Sequence, residues 1–229
     1  MKNVYTKYQV ATAIAILFHL IGLVGILFFD KAFFIKTTSL NMLLMFALLI
    51  YTQFNPGKYF IIFLSICVAT GILVEVIGTH TGLLFGQYEY GNVLGPSLQQ
   101  VPLIIGINWF IIIYCCGITI YMFLTKLIDK LAVETGTTRP ALKAISIIVD
   151  GASLAVFFDW LMEPVAIKLG YWKWLPAAEV PLYNYACWFL ISSLLLIVFH
   201  FATFNKQNKF AVNLLLIQAM FFLLLRTFL

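Results

Sequence analysis

Seven stretches of the chain, 10–29, 37–54, 59–78, 102–124, 142–161, 184–204 and 210–227, are apolar runs with few charges. Each comes close to the ~20 residues that carry a helix across a bilayer core. Backbone polar groups have no partner in hydrocarbon, so such runs must fold as helices. They lack the in-out alternation of a transmembrane strand. Composition agrees: 63% of the 229 residues are hydrophobic, 10% are charged, and the mean hydropathy is +1.01. That balance excludes a soluble enzyme, a disordered chain and a nucleic-acid binder. The expected architecture is all-α: one integral-membrane domain over 1–229 with about seven transmembrane helices. The first run is too long for the apolar part of a signal peptide, and no small-residue cleavage site follows it, so it is expected to remain as a helix.

Basic residues set the expected orientation. Lys2, Lys7, Lys58, Lys126, Lys130, Arg139, Lys143, Lys206 and Lys209 fall on one side; Lys31, Lys36, Lys168, Lys173 and Arg226 fall on the other. The positive-inside rule places the first group, and the N-terminus, in the cytoplasm. The expected location is the cell (inner) membrane. Cys67, Cys115, Cys116 and Cys187 all lie in or beside apolar runs and read as packing residues. No Cys/His cluster has metal spacing, and no glycine-rich loop signals a phosphate site. His19 and His200 are lone histidines in apolar runs and read as structural.

Two connections are longer and more aromatic than a connector requires. In one, Gly86 is followed at +2 and +4 by Tyr88 and Tyr90; in the other, Gly170 is followed by Trp172 and Trp174. Val101-Pro102-Leu103 precedes Trp109 as Val180-Pro181-Leu182 precedes Trp188, and Glu75 stands before Gly86 as Asp159 stands before Gly170. The order acid, glycine, alternating aromatics, Val-Pro-Leu, tryptophan thus occurs twice, and predicts a parallel internal repeat with halves 59–124 and 142–204. Transporter folds often place a binding site between such repeats. Tyr and Trp also gather at bilayer interfaces without any ligand. Their alternation after a glycine, in both loops, points further, to a shaped surface.

The acids are the sharper signal. Glu75 lies in the third run, Asp150 and Asp159 in the fifth, and Glu163 just past its end. A carboxylate inside the bilayer costs several kcal/mol and normally faces a cavity with a function. Asp159 and Glu163, four apart, share a helix face. Asp150 is nine before Asp159, about half a turn round and ~13.5 Å along the axis, and so points elsewhere. The fifth helix is therefore expected to be central, with polar residues on two sides. Glu75 is framed by Gly71, Gly78 and Gly82, a small-residue face that lets a neighbouring helix approach closely. Glu75, Asp159 and Glu163 are expected to meet in one polar pocket beneath the aromatic loops, with no lysine or arginine at their depth. A carboxyl without a counter-ion in low dielectric keeps its proton, which suits a general acid. For Glu163, beside Pro164, a capping role stays open. His80, five residues after Glu75, is a candidate to tune that acid.

Glu75-x-x-Gly78-x-x-Thr81-Gly82-x-x-Phe85-Gly86-x-Tyr88-x-Tyr90, with Leu94-Gly95-Pro96, Val101-Pro102 and Trp109, resembles the signature of the CruF-type carotenoid biosynthesis proteins. Asp150, Asp159-Trp160, Glu163-Pro164, Gly170-Tyr171-Trp172, Val180-Pro181, Asn184 and Trp188 are similar to that family's second block. The resemblance covers about 60–200. It implies a carotenoid 1,2-hydratase, which adds water across the terminal C1=C2 bond of an acyclic ψ-end and leaves a tertiary 1-hydroxyl. Lycopene, γ-carotene and bacterioruberin precursors are the implied substrates, with no cofactor. The implied partners are the membrane-dissolved carotenoid, water and other carotenoid biosynthesis enzymes. Such chemistry needs a proton at C-2 from a buried acid, for which Asp159 or Glu75 is the candidate donor among Glu75, Asp150, Asp159 and Glu163. The tertiary cation at C-1 can rest against electron-rich rings, here Tyr88, Tyr90, Trp172 and Trp174. His80, Trp109, Asn184 and Trp188 complete the candidate substrate-binding set.

Two other readings compete. A lycopene-cyclase-like isomerase starts with the same protonation but leaves the product mass unchanged. A proton-coupled lipid or terpenoid transporter fits the repeat and the acids but converts nothing.

Overall fold

The computed structural model describes residues 4–135, 140–175 and 179–229. Lys2 and Arg139, which enter the orientation argument, lie outside them. The order is α1 (Val4–Phe28), α2 (Lys31–Lys36), α3 (Thr38–Thr52), α4 (Lys58–Thr81), β1 (Tyr88–Tyr90), β2 (Ser97–Leu98), β3 (Val101–Pro102), α5 (Ile104–Thr135), α6 (Pro140–Lys168), β4 (Trp172–Trp174), α7 (Leu182–Phe201) and α8 (Lys209–Phe228). Among the described residues, six helices are long and apolar enough to cross a membrane. The protein is an all-α polytopic membrane protein.

The expected second span differs. Asp30 caps a separate short helix, its carboxylate accepting from the Phe33 N–H at 3.0 Å, and α3 then has only 15 residues. It still links both ends of the bundle. Thr38 meets the Tyr171 hydroxyl at 2.7 Å, while Thr52 at its far end accepts from Asn208 at 3.1 Å. Burial pushes the Tyr171 phenol up to about 12, which keeps its proton available for this bond.

The enclosed helix is α5, not α6. Every residue from Trp109 to Cys116 is buried, as expected of a helix that is apolar all round. On α6, Ile145, Val149, Phe157 and Trp160 stay exposed, and so does Asp150. The half-turn between Asp150 and Asp159 leaves one side of α6 outward rather than making the helix central. The four cysteines are buried and free.

Helix ends explain how the site is aimed. Gly82, at φ +66°, closes α4 with its N–H on the Gly78 carbonyl. Gly170, at φ +72°, closes α6: its N–H bonds Ile167 and the next N–H, of Tyr171, reaches back to Ala166. These reversals send both aromatic segments back over the same end of the bundle. There β1 and β4 pair antiparallel, Tyr88 opposite Trp174 and Tyr90 opposite Trp172. Gly91 N–H to Tyr171 O and Leu175 N–H to Gln87 O, both 2.8 Å, extend the pairing. The β2–β3 hairpin beside it turns on Gln99 and Gln100, both at positive φ, as tight two-residue turns require.

Candidate active site

The stripe Gly71, Glu75, Gly78 on α4 makes room for side chains, and each glycine has a visible reason. A Cβ on Gly71 would stand 2.7 Å from the Trp109 ring, and one on Gly78 would stand 2.8 Å from the Tyr88 hydroxyl. Both neighbours are hydrogen-bond donors to the acid between them. Trp109 Nε1 donates to Glu75 Oε1 at 3.0 Å; the Tyr90 hydroxyl donates to Oε2 at 2.7 Å, and Tyr88 donates to the same oxygen. Burial, and then the neighbouring Glu75, holds both phenols far above their ordinary range, so they stay protonated donors. Glu75, 5% exposed, thus accepts three hydrogen bonds.

Glu163 is held in the same way by the other strand. Trp172 Nε1 and Trp174 Nε1 donate to Glu163 Oε2 at 3.0 and 3.1 Å. Strand periodicity explains both sets: alternate residues point down, while Glu89 and Lys173 between them point up and form an exposed ion pair at 2.5 Å. By spacing, Asp159 is the counterpart of Glu75; by hydrogen bonding, Glu163 is. The difference arises because α6 does not stop before Pro164. The helix runs on to Lys168, so Glu163 lies inside it. Proline has no N–H for the carbonyl four residues back, and Arg226 of α8 donates to that Trp160 carbonyl at 3.3 Å, its guanidinium 4.1 Å from the Trp160 ring centre.

Asp159 is 1% exposed. Asn184 Nδ2 donates to its Oδ2 at 2.8 Å, and its Oδ1 has no hydrogen-bond partner. Trp109 and Trp188 stack at 4.0 Å with 9° between the planes. Phe85, with φ at +65°, packs against both rings and sends its N–H to Cys187 Sγ at 3.4 Å. That backbone region is rare for a bulky residue, and strain of this kind collects at functional sites.

The three carboxyls line one small chamber of about 30 Å³ with Tyr88, Tyr90, Trp109, Trp172, Trp174, Asn184 and Trp188. That volume suits a water molecule or two, since one needs roughly 10–15 Å³ of such space. A second cavity of about 360 Å³ lies beside it, walled by apolar side chains such as Phe18, Met42, Phe158, Phe221 and Phe222. Ile105, Asn108, Met162 and Trp172 line both spaces. Two expected residues stand apart. Asp150 is exposed, and His80 is exposed with Nδ1 on the Val76 carbonyl at 2.9 Å. Five residues turn a helix by ~500°, which carries His80 away from the face of Glu75. Asn108 was absent from the expected set; an amide inside an apolar run was its signal. Among the described residues, no three of His, Cys, Asp and Glu are grouped as metal ligands.

A family described as "Carotenoid biosynthesis protein" matches residues 35–229. The bisanhydrobacterioruberin hydratase of Haloarcula japonica is 28% identical over 131 residues, which is 56% of this chain and 40% of that relative. The chain therefore aligns with less than half the length of that protein. No solved structure matches the chain. The family match takes in α3 to α8, both strands of the aromatic ribbon and all three buried acids, and this chain belongs to the carotenoid biosynthesis protein family.

Proposed function

We propose that this protein is a carotenoid hydratase that adds water to the terminal C1=C2 bond of an acyclic ψ-end. One observation carries the reading: a water-sized chamber of three carboxyls shares a wall with an apolar cavity of about 360 Å³. Pockets of 300–1,000 Å³ suit drug-sized ligands, and the end of a long polyene is of that class. The name of the Haloarcula relative supports the same chemistry.

The hydrogen bonds divide the labour. Glu75 has both oxygens occupied by donors, so it serves as an acceptor and a negative centre. Asp159 has one oxygen tied by Asn184 and one free. We assign the transferable proton to that free Oδ1. Its delivery to C-2 converts the π bond into a C–H bond and leaves a tertiary cation at C-1. The carboxylates and the aromatic faces above it lower the cost of that charge. Water then forms the C–O bond at C-1, and its surplus proton returns to a carboxylate. The sum is alkene plus water to tertiary alcohol, with the acid regenerated and no cofactor. The antiparallel ribbon and the Trp109–Trp188 stack support a repeat with halves 59–124 and 142–204, the two contacts falling between them. In this reading the N-terminus is cytoplasmic in the cell membrane and the chamber lies toward the outer face.

Expression in hosts that accumulate lycopene or γ-carotene tests the proposal. A hydratase gives 1-hydroxylated products heavier by one water. Rearranged products of unchanged mass would favour the cyclase-like reading, and unaltered pigment with well-expressed protein would overturn the hydratase.

A further inference from the structure

The reaction as proposed needs a group that holds the attacking water while the proton travels the other way. Two amides approach the acids. Asn184 is 2% exposed and committed, its Nδ2 bound to Asp159. Asn108 is different. It lies on α5 one residue before Trp109, is only partly buried, and lines both the carboxyl chamber and the apolar cavity. No hydrogen bond among the described residues engages its side chain.

Partly buried where the two spaces meet, its amide keeps donor and acceptor open to whatever occupies them. Its neighbours in the shared wall, Ile105, Met162 and Trp172, offer an apolar surface or an N–H already given to Glu163. Within the shared wall the uncommitted donor and acceptor therefore belong to Asn108. An amide can donate to one water and accept from it, which fixes the lone pair that attacks.

We infer that Asn108 is the positioning residue for the nucleophilic water, set at the doorway where the chamber meets the chain cavity. The inference rests on the hydratase reading. It makes Asn108 responsible for capture of the cation and not for its formation. Protonation at C-2 by Asp159 proceeds without it. A cation left without a held water loses a proton from carbon and returns to an alkene, the acid recovering its proton.

Hydration in D2O separates these steps. Full-length protein in membranes is supplied with lycopene, and two quantities are read by mass spectrometry: hydrated product, and deuterium in recovered alkene. Asn108→Leu and the smaller Asn108→Ala should lower the ratio of hydration to exchange by about tenfold or more, as misplacement of a reacting group does, while exchange persists. Asn108→Gln, which keeps the amide, should restore part of the ratio. Hydration and exchange falling together in both Leu and Ala variants, or an unchanged ratio, would overturn the assignment. A wild-type protein that exchanges but never hydrates, or does neither, sinks the hydratase reading itself and this inference with it.

Discussion

Among the described residues, a buried polar cluster stands at each end of the bundle, and the two are built on opposite principles. At the end bearing the start of α4, the groups are neutral and saturated. Tyr114 donates to Gln53 Oε1 at 2.5 Å, and Gln53 Nε2 donates to the Asn205 carbonyl at 2.9 Å. Asn208 donates to Thr52 and to Tyr114 at 3.1 Å, and its own oxygen takes the Phe210 N–H. This ties α3, α5 and the start of α8 together with nothing left over. At the ribbon end there are three carboxyls, an unpartnered Asp159 oxygen, an uncommitted Asn108 and free volume. A saturated network fixes helices; one left incomplete is available for chemistry. Buried polar networks normally close, so the incompleteness is the informative part.

The strongest way to break the contrast is Asp159→Asn. It keeps shape and removes the proton, and it should cut hydrated product by about 10²–10⁴-fold, the usual worth of a general acid. Product per folded molecule after detergent extraction measures this; near-normal conversion would return the chamber to a scaffold. Next is Gly71→Ala. A methyl at 2.7 Å from the Trp109 ring forces a repacking worth about 1–3 kcal/mol. It should lower both thermal midpoint and conversion, because Trp109 is a donor to Glu75. Tyr114→Phe probes the saturated end. It leaves Gln53 and Asn208 short of a partner, so about 1–3 kcal/mol of stability is expected to go, while conversion per folded molecule holds. A selective loss of conversion there would erase the division between the two ends. Smallest is Lys173→Met: an exposed ion pair contributes at most about 1 kcal/mol, so neither melting nor product should move measurably. Asp150→Asn should likewise be silent in pigment analysis.

The sequence made the membrane helices legible because a run of about 20 apolar residues has one solution in lipid. It made the aromatic ribbon legible as alternation, since period two survives even in three-residue strands. What stayed hidden depended on partners far along the chain. Glu163 reads as lying past a helix end because the apolar run closes at Leu161. The helix continues through Pro164, and Arg226, more than sixty residues away, takes the orphaned carbonyl. The centrality of α5 was hidden because uniform apolarity says only that a helix is buried somewhere. His80 looked close to Glu75 by count and is turned from it by helical geometry. Asn108 reads only as one polar residue in a greasy run. The apolar cavity was beyond reach, being assembled from α1, α2, α3, α5, α6 and α8.

The local origin of the donors around each acid bears on how the chain is made. Glu75 finds its three partners at Tyr88, Tyr90 and Trp109; Asp159 and Glu163 find theirs at Asn184, Trp172 and Trp174. Each carboxyl is therefore served by the same helical hairpin that carries it into lipid. The donors that shelter each acid are thus close to it in the chain, and a hairpin carries them together. The two hairpins then meet through one seam, where the strands clasp and the indoles stack.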